Sequence, residues 1–184
     1  MKTFKSHLKE TTLSRVFRHF QNKKIPVGII TAFRDEFEYG QNVKRNKVLA
    51  SKIKKARYGF VYVVGHWKEK DKDTGELVDV NEDSILVVGS ENDSGKLKGL
   101  FVKWVKEYNQ DAALFKDAGT TEIQFIKQSG NGEPFAQKFS QKKLEIGYTK
   151  LRGRSKSVFS FDEERDGEGW LGRMERLIKE RQKK

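Results

Sequence analysis

The sequence predicts an α+β protein with a ferredoxin-like split β-α-β-β-α-β core, an N-terminal helix, extra C-terminal strands and a C-terminal helix. Residues 27–33, VGIITAF, form a continuous apolar run that is typical of a central strand. Residues 97–108 carry apolar side chains at helical spacing. Helical and strand patterns between residues 27 and 116 follow one another in the β-α-β-β-α-β order.

Each element has its own local pattern. Leu13, Val16 and Phe20 predict a first helix over 12–22, which ends before Pro26. A second helix over 42–57 has one apolar face and one basic face. The other predicted elements are a β-hairpin with strands 58–67 and 84–88 and its tip at Thr74-Gly75, a helix over 97–108, strands 111–115 and 121–127, β-like segments 135–139, 144–149 and 158–161, and a helix around 170–178.

Composition limits the function classes. The 184 residues carry a formal net charge of +12, so we expect a polyanionic partner, either nucleic acid or an acidic protein surface. With no Cys and three His, we expect no metal site, and nothing indicates a cofactor. No apolar run reaches the roughly 18 residues of a membrane span, so no membrane partner is expected.

The basic residues concentrate in three segments. Such clusters favour non-specific contact with a phosphate backbone, although each one alone also fits a solvated surface. They comprise Lys44, Arg45, Lys47, Lys52, Lys54, Lys55 and Arg57; then Lys142, Lys143, Lys150, Arg152, Arg154 and Lys156; and finally Arg173, Arg176, Lys179, Arg181, Lys183 and Lys184.

The opening decapeptide, MKTFKSHLKE, resembles the capsid-targeting peptides of the internal head proteins of T-even-type bacteriophages. The start, from Met1 to Phe4, matches, and Leu8 with Glu10 matches the signature after which the phage prohead protease cuts, here before Thr11. Alternatively, Phe4 and Leu8 extend the first helix. The resemblance implies two parts, a cleavable peptide over 1–10 and one basic domain over 11–184, with its core at 27–127 and an extension at 128–184.

The same resemblance implies a location and a leading function. The protein would be packaged inside the capsid with the DNA and injected into the host cytoplasm. It would act by binding, either to genome DNA in the head or, after entry, to a host defence protein or host enzyme that it inhibits. On this hypothesis the protein is not an enzyme, and its partners are nucleic acid or an acidic host protein, together with the prohead protease.

A second resemblance covers residues 28–115. The motifs GIITAFR, an Asn-containing helix start, GHWKE, EDSILVVG and YNQDAALF resemble the motif order of a small bacterial and phage family of unknown function. This resemblance draws attention to polar residues at the ends of elements, namely Arg34, Asn42, Asn46, His66, Trp67, Glu82, Ser84, Gln110 and Asp111.

We expect these polar residues in two separate clusters, on the assumption that the first and third strands are parallel. One cluster holds Arg34, Asn42, Gln110 and Asp111, and supports the alternative function of a small nucleotide- or nucleic-acid-processing enzyme. Arg34 would hold a phosphate near the helix start, or pair with Asp111.

The second expected cluster, at the opposite end, holds His66 and Glu82. These two residues would form an acid–base or metal pair, or a simple cross-strand hydrogen bond. The candidate catalytic residues are therefore Arg34 and Asp111 at one end, and His66 and Glu82 at the other.

Overall fold

The computed structural model describes residues 13–70, 74, 77–136, 138–140, 147–151 and 158–162. The elements in chain order are α1 (Leu13–Gln21), β1 (Val27–Ile30), α2 (Tyr39–Lys55), β2 (Gly59–Lys70), β3 (Leu77–Val88), α3 (Lys96–Glu107), β4 (Ala112–Lys116), β5 (Ile123–Lys127), β6 (Gly132–Ala136), β7 (Lys138–Ser140), β8 (Gly147–Leu151) and β9 (Val158–Asp162). The predicted α+β class and the β-α-β-β-α-β order are confirmed.

The strands of the described residues form one sheet in the order β6-β5-β4-β1-β3-β2-β8-β9-β7. Neighbouring strands are antiparallel throughout. The inner order β4-β1-β3-β2 is that of the predicted split βαβ core. The β2–β3 hairpin is longer than the sequence predicts, because its register runs from the Gly59–Val88 pair to the Lys70–Leu77 pair.

Helices cover both faces of the sheet, so the short central strand β1 is buried on both sides. Val27 and Ile29 point toward α1, where they pack with Val16 and Phe20. The opposite face packs against α2 and α3, whose buried side chains include Leu49, Ile53, Phe101, Trp104 and Val105. The apolar spacing of residues 97–108 therefore marks a helix that lies on the sheet, as expected.

The two ends of the sheet each hold buried polar side chains. At the end where β3 and β4 finish, Asp93 caps α3 and Lys116 donates to the carbonyls that follow α1. Asn42, Asn46, Ser84 and Gln110 lie toward the other end and are no more than 8 % exposed. All four residues of the second group are among the nine that the motifs singled out.

Several predicted features lie outside the described residues. These are the decapeptide with Leu8, Glu10 and Thr11, the closing helix with its basic residues, and Lys142, Lys143, Arg152, Arg154 and Lys156. Lys150 lies in β8. None of the helices in the described part of the chain is long and apolar enough to cross a membrane.

Candidate functional site

The direction of the strands brings the predicted clusters to one end of the sheet. β1 and β2 both run antiparallel to β3, so they are parallel to each other, and β4 is parallel to β3. The prediction of two separate clusters is therefore wrong. Helix α2 is a crossover between β1 and β2, which makes those two strands parallel, whereas the hairpin reverses β3.

Arg34 follows β1 at the end of the sheet where Gln110 and Asp111 lead into β4. Glu82 and Asp83 lie in β3, just before the residues that pair with β1. We call this region the polar edge, and it comprises the segment 32–34 with Asn42, Asn46, Glu82, Asp83, Gln110 and Asp111.

The segment 32–34 continues β1 but is not bonded to neighbouring strands. The Ala32 N–H donates to Asn46 Oδ1 at 2.9 Å, and the Arg34 N–H donates to Asn42 Oδ1 at 2.9 Å. In return, Asn42 Nδ2 donates to the carbonyls of Arg34 at 2.8 Å and Phe37 at 3.0 Å. Two buried carboxamides of α2 thus take the place that a strand would occupy.

The remaining backbone groups of this segment are also bonded to side chains. The Phe33 N–H donates to Thr31 Oγ1 at 3.0 Å, and its carbonyl accepts from Gln110 Nε2 at 2.8 Å. The Ala32 carbonyl accepts from Arg45 Nε at 2.8 Å. These bonds explain why the predicted strand 27–33 ends at Ile30, although its apolar pattern continues.

The carbonyl of Asp83 joins the same segment to β3. It accepts from Asn46 Nδ2 at 2.7 Å and from Thr31 Oγ1 at 2.8 Å. Asp83 lies opposite Val64 of β2, so three strands and α2 are connected within this small region. Sequence reasoning missed both Thr31 and Asp83. Thr31 lies in the apolar run 27–33 and Asp83 follows other acidic residues, so neither stands out from its neighbours.

Arg34 is held within its own loop. Its Nε lies 2.9 Å from both carboxylate oxygens of Glu36, and its Nη1 donates to the Asn109 carbonyl. The Arg34 side chain is only 10 % exposed, whereas that of Glu36 is 50 % exposed. Its charge is therefore already paired, which weakens its predicted role as a phosphate ligand.

His66 and Glu82 are near one another along the hairpin but are not opposite. The register pairs His66 with Asn81 and Glu82 with Gly65. The expected cross-strand pair is therefore not in register. No group of three or more His, Asp or Glu residues in the described part of the chain could hold a metal ion.

Arg45, which we assigned to a nucleic-acid surface, is built into the polar edge. Its guanidinium lies 4.3 Å from the centre of the Phe37 ring and 5.6 Å from that of Tyr108. Its Nη2 also donates to the Tyr108 carbonyl at 3.2 Å. On the same helix, Lys52 pairs with Glu107. The exposed cations of this face are Lys44, Lys47, Lys54, Lys55 and Arg57.

The electrostatic environment of the polar edge combines neutral amides, several carboxylates and the guanidinium groups of Arg34 and Arg45. Glu82, Asp83 and Asp111 are half-buried, while Asn46 and Gln110 are buried. Nearby, burial raises the pKa of Tyr108, although Arg45 opposes the shift. The Tyr108 hydroxyl is the buried side-chain polar atom without a hydrogen-bond partner among the described residues. Amides and carboxylates in this arrangement can orient a polar, positively charged small molecule.

Comparison with known proteins gives one family match. The model of the S-Adenosylmethionine lyase family matches residues 28–171, which is well over half of the chain and includes the whole polar edge. Among solved structures, a phage SAM lyase in complex with S-methyl-5'-thioadenosine is 15 % identical, over 69 % of this chain and 88 % of that chain, with a TM-score of 0.29. No curated protein sequence matches.

The family match corrects the leading functional predictions. The hypothesis of an internal head protein that acts by binding DNA or a host protein is wrong, and so is the expectation that the chain is not an enzyme. Nucleic acid, an acidic host protein and the prohead protease are replaced as partners by a small-molecule substrate. Within the predicted basic surface, Arg45 and Lys52 bond to other parts of the fold.

Proposed function

Because the chain belongs to the S-adenosylmethionine lyase family, we propose that it is an enzyme that cleaves S-adenosylmethionine and that the polar edge is its substrate site. The family match over residues 28–171 carries this proposal. The geometry supports the location, because residues from four separate parts of that range converge there.

The reaction class defines the bond that breaks. A lyase that acts on S-adenosylmethionine separates the sulfonium sulfur from the methionine-derived carbon chain without adding water, and S-methyl-5'-thioadenosine leaves as a neutral thioether. If the substrate's own carboxylate attacks the carbon that carries the sulfur, the four-carbon fragment leaves as a lactone. If a base removes the neighbouring proton, the fragment leaves as an unsaturated amino acid. Both routes conserve atoms and charge.

The polar edge suits a substrate with this distribution of charge. S-adenosylmethionine carries a positive sulfonium and a positive ammonium group, and Asp83, on the α2 side of β3, and Asp111 supply negative charge near the buried amides. In the lactone route, a carboxylate and a sulfonium neutralise each other as the bond breaks. Water stabilises those separated charges, so a site that excludes water lowers the barrier. Buried neutral side chains such as Gln110, which donates to the Phe33 carbonyl, hold the backbone around the substrate in place without adding a competing charge.

Release of S-methyl-5'-thioadenosine from S-adenosylmethionine tests the function. Purified protein is incubated with substrate, and both products are identified by mass spectrometry. S-adenosylhomocysteine, which lacks the sulfonium charge, is the matched control and should not be cleaved. A folded protein that releases no more S-methyl-5'-thioadenosine than buffer alone would refute the proposed activity.

A substitution tests whether the polar edge is the site of this activity. Gln110→Ala removes the donor to the Phe33 carbonyl, and we expect turnover to fall by about 10-fold or more. Lys54→Ala, an exposed change on α2, is the control and should leave turnover unchanged. Full activity in Gln110→Ala would leave the lyase assignment standing but would remove the polar edge as the site.

The location of the protein stays a prediction. The predicted location is inside the virion and, after injection, in the host cytoplasm. Mass spectrometry of purified particles tests it. Particles that contain the protein support this location, whereas particles that lack it contradict it.

A further inference from the structure

Asn46 connects two parts of the polar edge that the sheet does not connect. Its side chain belongs to α2 and is 3 % exposed as part of the buried polar group. Its Oδ1 accepts from the Ala32 N–H at 2.9 Å, and its Nδ2 donates to the Asp83 carbonyl at 2.7 Å. One neutral side chain therefore meets a donor on one segment and an acceptor on the other. A carboxamide of this length does both at any pH, whereas a carboxyl group could do so only when protonated.

No strand pairing duplicates this connection. The register between β1 and β3 ends at the Ile30–Ile85 pair. Beyond it, the distance between the segment 32–34 and β3 is set by the two donors to the Asp83 carbonyl, Asn46 and Thr31. The segment carries Arg34, whereas β3 carries the Glu82 and Asp83 carboxylates. Asn46 thus fixes the spacing between the two sides of the site.

We propose that Asn46 is a positioning residue for cleavage of S-adenosylmethionine, which acts by holding segment 32–34 and the Asp83 backbone at their catalytic separation. The proposal rests on the proposed function. It does not require Asn46 to touch the substrate. A displacement of about 1 Å between positioning groups can reduce turnover about 100-fold, so a small local shift is sufficient.

The substitution N46D tests the connection because the outcome depends on a proton. The ionised carboxylate still accepts from the Ala32 N–H but presents a negative oxygen to the Asp83 carbonyl, which should separate the two segments. The protonated carboxyl donates to that carbonyl and restores both bonds. We therefore expect kcat of N46D to be about 10-fold or more below that of the unmodified protein near pH 8, and the ratio to rise as pH falls toward about 5.

The charged groups around position 46 determine the pH at which the kcat of N46D recovers. Arg45 reaches the same segment through the Ala32 carbonyl and favours the ionised form of the introduced carboxyl. The carboxylates of Glu82 and Asp83 on β3 favour the protonated form, as does burial. Because the ratio to the unmodified protein is measured at each pH, any titration common to both proteins cancels.

Asp93→Asn provides the matched control at the opposite end of the sheet. Asp93 is 4 % exposed, and its two oxygens accept from the Leu97 N–H at 2.9 Å and from the Tyr58 hydroxyl at 2.6 Å. This substitution is the reverse of the exchange in N46D, at a similarly buried position. We expect a lower melting temperature but a kcat within about 2-fold of that of the unmodified protein, with no change of the ratio with pH.

A second variant keeps the proposal testable if N46D does not fold. Thr31→Val removes the other donor to the Asp83 carbonyl and keeps the shape of the side chain. It should lower kcat several-fold, with less effect on KM and no recovery at low pH. Recovery of N46D at low pH, or this Thr31→Val effect if N46D is unfolded, supports the proposal.

Two results would overturn it: a folded N46D whose kcat ratio is unchanged or does not vary with pH, or an unfolded N46D together with unchanged kcat in Thr31→Val. An inactive unmodified protein would instead refute the proposed function, on which this role depends.

Discussion

Replacing Gly28 with alanine would place a methyl group where α3 touches the sheet. A Cβ at this position would lie 2.3 and 2.4 Å from two ring carbons of Phe101 and 2.8 Å from a ring carbon of Phe115. Carbon atoms in favourable contact are about 3.5–4.0 Å apart, so the Phe101 ring would have to withdraw by roughly 1 Å. The absence of a side chain at Gly28 is therefore what lets α3 approach the sheet.

The surrounding core leaves little room for that movement. Phe101 is 0 % exposed, and its ring lies 5.0 Å from the centre of Phe115 and 5.8 Å from that of Trp104. Overpacking of a core costs about 1–3 kcal/mol, and we expect Gly28→Ala to lie at the upper limit, about 3 kcal/mol. For a chain of this length, that corresponds to a fall in melting temperature of about 6–12 °C.

Urea unfolding followed by tryptophan fluorescence measures this loss. Gly99→Ala in α3 is the matched control, because its Cβ would meet nothing within 4 Å and should stabilise the helix by about 0.5–1 kcal/mol. Adding Phe101→Leu to Gly28→Ala should cost less than the two separate changes predict, since the smaller side chain relieves the clash. A Gly28→Ala protein that unfolds at the same urea concentration as the unmodified chain would refute this packing.

Three further outcomes follow from buried polar groups. Arg45→Lys should lower turnover despite keeping the charge, because one ammonium nitrogen does not reproduce the two separate guanidinium nitrogens that bond the Ala32 and Tyr108 carbonyls; release of S-methyl-5'-thioadenosine measures it, and equal rates would contradict it. Burial and the hydrogen bond to Asp93 raise the pKa of Tyr58 to about 12. The protonated hydroxyl therefore stabilises the fold fully below about pH 10, and this contribution is lost as the pH rises through about 12. Urea titrations should therefore show a greater loss of stability in that window for the unmodified protein than for Tyr58→Phe. Burial lowers the pKa of Lys116 to about 8 against 10.5 for a free side chain, so stability relative to Lys116→Met should rise with pH between these values; a flat difference would contradict this.

The order of the elements was predictable from the sequence because periodicity is a local property. Helix α3 repeats its apolar residues every three or four positions, and β1 is continuously apolar because both of its faces are covered. The exact end of β1 was not predictable. Phe33 is typical of a strand residue, but its carbonyl accepts from the side chain of Gln110, which lies far along the chain. Such partners leave no periodic signal.

The site residues were predicted better than their arrangement. Arg34, Asn42, Gln110 and Asp111 were assigned correctly to one end of the sheet, but an error in strand direction separated them from Glu82. Arg45 was misassigned because a lysine- and arginine-rich helix face looks uniform in sequence, whereas the carbonyls that bind this one arginine become neighbours only in the folded chain. Substrate identity required the family match, since amides and carboxylates serve many ligands.

The use of carboxamides to hold segment 32–34 also has a bearing on how the protein ages. Asparagine is among the thermolabile residues, and its deamidation leaves a carboxylate of nearly the same shape. Deamidation at Asn42 or Asn46 would not change the hydrogen bonds between the strands. The new carboxylate, however, could not donate to the Arg34 or Asp83 carbonyl as the carboxamide does. We therefore expect any molecule that is deamidated at either position and remains folded to be catalytically defective. Folded content would then overstate the shelf life of a preparation.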